Sequence, residues 1–342
     1  MSEAYRKERG RWQGGVETKA FAEALGADVP REWAEEFVAG LESLPWQHTA
    51  YVRFPGEIDP ALIGTDGINL TPTLKLIPSA QLPDVPDGVG FATLGSLLLS
   101  QGARRQEKAI YLRLIFSGYI SRDRESAGVN QITASILSIF GIAMSIGLLS
   151  HNPWHYVRKR VQSFSIDTYR LSGAEENYCE NIAFDPSHAK EMDKLIHIIP
   201  DDTRSKPLWI QARISTLGKV MDRANSRLLN AARWYFDSHC GPSDQVRFVQ
   251  VCIALEILLG DEKQGRETGL GVLMANRCAY LLGKNNADRE SITSTFRLGY
   301  DIRSKIVHAG KSQLSSEEKA HFRYMQKLCS SVIQKECEEL QQ

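Results

Sequence analysis

Near the end of this chain an arginine lies inside an apolar helical pattern, five residues ahead of a histidine at a helix stop: YDIRSKIVHAGKS, residues 300–312. On a wheel at about 100° per residue, Ile292, Phe296, Gly299, Tyr300, Ile302, Ile306 and Val307 share one face, with Arg303 near its middle. Arg297 and Lys305 fall on the opposite side, where solvated cations belong. A guanidinium on the apolar face needs a buried partner, an interface or an anionic ligand. Glu256, in VCIALEILLG, is equally out of place on a helix that is apolar almost all round. A bidentate Arg303–Glu256 contact would satisfy both groups. Glu256→Ala would then leave Arg303 buried and unpaired, at a cost of a few kcal/mol.

His308 immediately precedes Ala309 and Gly310, where the helix should end. Exposed C-terminal carbonyls favour the imidazolium form there and suit the ring to acid–base work. Asp301 lies two turns earlier on nearly the same side and is expected to orient the ring. The set is one fixed cation and one titratable group, with no metal ligands, no phosphate-binding glycine loop and hence no cofactor. Such a pair can cleave RNA, because the 2′-hydroxyl is already the nucleophile. His308 would take its proton or protonate the leaving oxygen, and Arg303 would stabilise the phosphorane charge. On spacing alone, a structural ion pair with a capping histidine is the commoner arrangement in helical proteins.

The elements that must position these residues are helices. From Ser205 onward the pattern gives a long helix over 207–239, then helices over 244–260, 267–283, 288–310 and 315–340. Most end in or just before glycine, and the short connections imply an antiparallel bundle. The first part is mixed. REWAEEFVAGLESL (31–44) has helical spacing, TAYVRF (49–54) and TPTLKLIP (71–78) read as short strands, and KAIYLRLIFSGYIS (108–121) is the best strand. The predicted fold class is α+β, mostly α, with a mixed region over 1–204 and a helical bundle over 205–342.

Composition limits what these residues can mean. The 342 residues are 42% hydrophobic and 24% charged with zero formal net charge, which describes a folded protein and confines any nucleic-acid surface to a local patch. Six cysteines show no CxxC pair and no metal-ligand spacing, and the first residues, MSEAYRKERGRWQGG, carry no secretory apolar run. A cytoplasmic protein with reduced thiols is the expectation. The uncharged stretch ITASILSIFGIAMSIGLLS, 132–150, would span about 28 Å as a helix, near the roughly 30 Å of a bilayer core. Arg158, Lys159 and Arg160 follow it, as beside a membrane. Four serines and a threonine dilute the run, however, and favour a buried core helix. His151 and His155 have helix-borne metal-ligand spacing, but Pro153 interrupts them and no third ligand is apparent. ARWYFDSH (232–239) reads as core packing rather than base stacking, and GLGVLMANR lacks the third glycine of a dinucleotide loop.

The segments ALEILLG, NRCAYLLG and YDIRSKIVHAG, in this order and at these intervals, resemble the HEPN superfamily (higher eukaryotes and prokaryotes nucleotide-binding domain), in particular its ApeA-like branch of bacterial defence proteins. The resemblance covers roughly residues 207–340. The family's arginine, four to six residues and histidine would fall on Arg303 and His308, its acidic position on Glu256, and its arginine before AYLLG on Arg277. The residue after the arginine, often an amide or an acid in active members, is Ser304, which can still hydrogen-bond a phosphate. The resemblance implies a helical bundle that forms a homodimer, with two Arg/His sets facing one RNA cleft. It also implies metal-independent cutting that leaves a 2′,3′-cyclic phosphate. The first 204 residues are then expected to sense a phage-derived or regulatory protein trigger, or to regulate the bundle. A nuclease-inactive HEPN module for nucleotide binding or regulation is the alternative.

Overall fold

The structure, a computed structural model, describes residues 29–42, 46–56, 58–84, 109–120, 126–152, 164–196, 206–261, 263–264 and 269–341. In chain order its main elements are α1 (Val29–Glu42), β1 (Gln47–Arg53), β2 (Ile68–Thr71), β3 (Leu74–Pro78), β4 (Ile110–Ser117), α2 (Ala127–Ser145), β5 (Ser150–His151), β6 (Ser165–Ser172), β7 (Glu175–Ala183), α3 (Pro186–Met192) and β8 (Leu195–Ile196). Then come α4 (Lys206–Arg223), α5 (Ser226–Cys240), α6 (Asp244–Leu259), α7 (Leu270–Leu282), α8 (Asn286–His308) and α9 (Ser316–Glu339). The α+β class, mostly α, is therefore the observed one.

Period-two alternation builds the sheet. Along β1, Ala50 and Val52 face one core while Tyr51 faces another, and along β4 Leu112 and Leu114 alternate with Tyr111 and Arg113. The six strands run antiparallel in the order β2-β3-β4-β1-β6-β7. The strand expected over 71–78 begins only at Leu74, because Pro72 and Thr73 form the turn of the hairpin between β2 and β3. Proline fixes φ and has no N–H for the ladder, which suits it to a turn.

The apolar helix α2 is this protein's own core. Ile132, Ile136, Ile139, Phe140 and Ile142 are all but inaccessible, each worth about 1.5–3 kcal/mol of burial. Ser126 caps its start by accepting from Val129 N. The serines that dilute it bond backward, Ser138 Oγ to Ala134 O at 2.8 Å and Ser145 Oγ to Gly141 O at 2.9 Å, so their hydroxyls are satisfied without water. Arg158, Lys159 and Arg160, the cations expected after it, lie outside the described residues.

Phe54 at the end of β1 meets Phe140 edge to face at 5.8 Å, and Phe140 meets Phe236 of α5 at 6.0 Å. One apolar cluster consequently runs from the sheet through α2 into the bundle. A Cβ on Gly141 would lie 2.0 Å from Ala232 O, so only glycine lets α2 and α5 approach this closely.

The single helix expected over 207–239 is two. Asn225 takes an extended conformation and its side chain accepts from Leu228 N at 2.9 Å, ending α4 and starting α5. The later boundaries follow the glycine and cap signals, with Ser243, Asn285 and Ser315 capping α6, α8 and α9. Of the six free cysteines, all but half-buried Cys179 are buried.

Candidate functional site

Three helices converge on Glu256, Arg277 and Arg303. α6 buries Phe248, Val251, Cys252, Ala254, Leu255, Leu258 and Leu259, which leaves Glu256 as the one carboxylate in its last turns. Arg277 of α7 donates from Nη1 to Leu259 O at 2.9 Å and to Gly260 O at 3.4 Å, and from Nη2 to Gln264 Oε1 at 2.8 Å. It also stands 3.6 Å from Asp261 Oδ2. Carbonyls at a helix end lack intrahelical donors, so a guanidinium there both bonds them and answers the helix dipole. Arg277 thus holds the end of the helix that presents Glu256. Backbone amides of Gln264 and Lys263 keep the Asp261 carboxyl below the usual carboxylate range.

On α8, Phe296, Gly299 and Ile302 face the core and bring Arg303 to Glu256. Arg303 Nη2 lies 3.2 Å from Glu256 Oε1, so the two residues singled out by their misplaced charges do meet. The contact is not the bidentate fork expected. Arg303 Nε and Glu256 Oε1 are shielded from solvent without a hydrogen-bond partner, while the side chains keep 20% and 23% exposure. The guanidinium carbon sits 5.6 Å from the centroid of the Tyr300 ring, one turn back. Burial, with the Glu256 carboxylate adding to it, raises the Tyr300 phenol. Val307, expected on the covered face, is 46% exposed: the apolar stripe outlasts the helices that cover it.

His308 is the last residue of α8 and is exposed. Gly310 follows at φ 63°, a left-handed turn that lets Lys311 N and Ala309 N both bond Lys305 O. Around and along the helix, Arg303 and His308 are about 140° and about 7.5 Å apart. Asp301 is exposed and makes no contact with His308, contrary to the expectation that it orients the ring. Seven residues place it on the same side but about 10.5 Å away along the axis. The residue beneath the imidazole is Ser304, half-buried and one turn earlier. Of the sequence candidates, then, Glu256, Arg277 and Arg303 assemble at the α6 end, Ser304 and His308 stand at the α8 end, and Asp301 remains apart.

Sequence reasoning missed a second group of ionisable residues. His151 Nε2 lies 2.7 Å from Glu191 Oε2, and Lys194 Nζ 2.6 Å from Glu191 Oε1, which holds the Glu191 carboxyl at about 2 against its burial. The His151 ring meets that of His239 of α5 at 4.8 Å, tilted by 44°, and burial lowers His239 to about 3. His188 Nε2 bonds Asp237 Oδ1 at 2.9 Å nearby. The recurring histidines were the available signal, but their carboxylate partners are 40 and 49 residues away in sequence. His155, considered with His151 as a ligand pair, lies outside the described residues. Among the described residues no group of three or more His, Cys, Asp or Glu side chains is placed to hold a metal ion.

Comparisons of the chain with family models, with curated proteins and with solved structures find no match.

Proposed function

We propose that this protein is a metal-independent endoribonuclease of the HEPN kind, acting as a cytoplasmic homodimer in antiviral or stress defence. The observation that carries the reading is Arg303, which meets Glu256 through one Nη and whose Nε has no partner among the described residues. An arginine placed so can still take a phosphate oxygen, and in a site partly closed to water that contact gains strength. The uncovered Val307 beside it favours a second copy lying over this helix end. Each copy would bring Arg303, Ser304 and His308 to one RNA cleft.

In the reaction the 2′-oxygen bonds phosphorus and the bond to the 5′-oxygen breaks. One imidazole accepts the 2′-hydroxyl proton, a proton is delivered to the departing 5′-oxygen, and Arg303 stabilises the charge on the phosphorane. The product is a 2′,3′-cyclic phosphate. Glu256 and Arg277 act by holding Arg303 and its helix in place. Residues 1–204 would receive the trigger, a phage-derived or regulatory protein.

A second reading, a HEPN module that binds nucleotides or regulates without cutting, draws on the absence, among the described residues, of a hydrogen bond or ion pair that fixes the His308 ring, and on Ser304 where an amide or acid is usual. RNA cleavage by the purified protein and by His308→Ala in EDTA, with end analysis of the products, separates them. Cyclic-phosphate ends that vanish in the variant support the nuclease. Cleavage by neither protein favours the regulatory module, and cleavage unchanged in the variant removes His308 from the mechanism.

A further inference from the structure

A cleft of about 620 Å³, lined by neither Arg303 nor His308, lies between the end of α2, β5, α5, α6 and one edge of α9. Lys319, Arg323 and Lys327 follow one another along α9 at four-residue intervals, about 6 Å per step. Arg247 of α6 faces the same space. Asp244 is the one carboxylate among the described lining residues. It pairs with both Arg247 and Lys319, the latter at 3.2 Å, whereas Arg323 and Lys327 have no carboxylate partner among the described residues. Four cations against one anion leave the cleft strongly positive in a chain whose formal net charge is zero. A solvated helix face would mix signs; this edge does not.

The charge is confined. One step before Lys319 the edge carries Ser315, and one step after Lys327 it carries Ser331, so the cationic row is about 12 Å long. A track for a polymer backbone would continue; this row has the length of a short phosphate chain. Beneath it Met144, Leu149, Tyr235 and Phe322 give the cleft an apolar wall, with the imidazoles of His151 and His239 beside it. A cavity of this size, with mostly apolar walls and a few charged groups at one side, is what a small-molecule site looks like.

We propose that this cleft binds a phosphorylated small molecule with a planar ring, a nucleotide, its phosphates on Lys319, Arg323 and Lys327 and its ring against Met144, Leu149 and Phe322. Walls from both the mixed region and the bundle close on the ligand. α6 gives Arg247 to this cleft and Glu256 to the Arg303 pair, so an occupant bears on the helix that positions Arg303. Binding itself does not depend on the ribonuclease reading.

The test is calorimetric titration of the full chain with ADP at low salt without magnesium, against adenosine, pyrophosphate and a short single-stranded RNA. Arg323→Glu/Lys327→Glu changes two exposed residues and is checked for folding by circular dichroism. The expected result is ADP binding that is tighter than that of adenosine or pyrophosphate and that weakens about tenfold or more in the variant, as when a charge-assisted hydrogen bond is lost. No ADP binding to the folded wild type, or binding unchanged in the folded variant, overturns the proposal. Pyrophosphate binding as tightly as ADP removes the ring and with it the nucleotide. RNA losing affinity in the variant while ADP does not makes the row a polymer contact instead.

Discussion

Two arginine–glutamate pairs of nearly equal exposure behave differently. In the sheet, Arg113 Nη2 bonds Glu176 Oε1 at 2.9 Å with side chains 27% and 16% exposed; in the bundle, Arg303 and Glu256 stand 3.2 Å apart at 20% and 23%. Among the described residues the sheet pair leaves no buried polar atom without a partner. Tyr51 Oη donates to Glu176 Oε2 at 2.6 Å, Thr49 Oγ1 donates to Oε1 at 3.1 Å, and Arg113 Nε donates to Tyr51 Oη at 3.1 Å. Burial and the Glu176 carboxylate together push the Tyr51 phenol up. The bundle pair leaves Arg303 Nε unanswered. Overall exposure does not separate the two sites; a buried donor left without a partner does. An ion pair whose hydrogen bonds are all made serves the fold, and one with donors to spare can serve a ligand.

The largest expected effect is on the sheet side. Glu176→Ala strands Arg113 and Tyr51 together and should cost about 2–3 kcal/mol in urea unfolding, the buried-pair range discounted for partial exposure. A loss below that of Glu256→Ala would reverse the comparison.

The histidine cluster provides the next test. His239 is held near 3 rather than its ordinary 6.5, so the unfolded chain binds its proton first, and the stability present above pH 6.5 is lost as pH falls toward 3. Glu191, held near 2 rather than 4.5, adds a loss from pH 4.5 downward. His239→Gln should flatten the upper part of this curve and spare the lower; an unchanged slope between pH 6.5 and 4.5 would show that His239 is not the cause.

Glu256→Ala should cost about 1 kcal/mol, less than the few kcal/mol expected of a fully buried fork, because water reaches both partners. The smallest effect is ionic. In high salt the Glu256→Ala loss should shrink toward zero while the Glu176→Ala loss persists, since hydrogen bonds that are not screened supply most of the latter. Equal salt sensitivity would erase the distinction.

Local patterns made the Arg303–Glu256 pairing legible, because each residue violates the apolar face of its own helix and each can answer the other's charge. The ends of α6, α7 and α8 were legible for a similar reason: Gly260, Gly283 and Gly310 follow apolar repeats that stop. Asn225 hid its break, since an asparagine within a long periodic run reads as helix until its side chain is seen to cap. The sheet order was not legible, because β1 pairs with β4 and β6 more than fifty and a hundred residues away. The cleft beside Lys319, Arg323 and Lys327 was not legible, because only the elements opposite turn that helix edge into a wall. The role of Arg277 was hidden because carbonyls leave no mark in a sequence.

The contact between Gly141 and Ala232 also sets a schedule. α2 leaves the ribosome long before its partner α5 is made: 91 residues separate the two positions, roughly 5–20 s of synthesis at 5–20 residues per second. When that interval opens, a 19-residue apolar helix has only β1 to β4 of the sheet, and none of the bundle, to cover it. The nascent chain, rather than the finished protein, is therefore the form most exposed to aggregation and most in need of a chaperone.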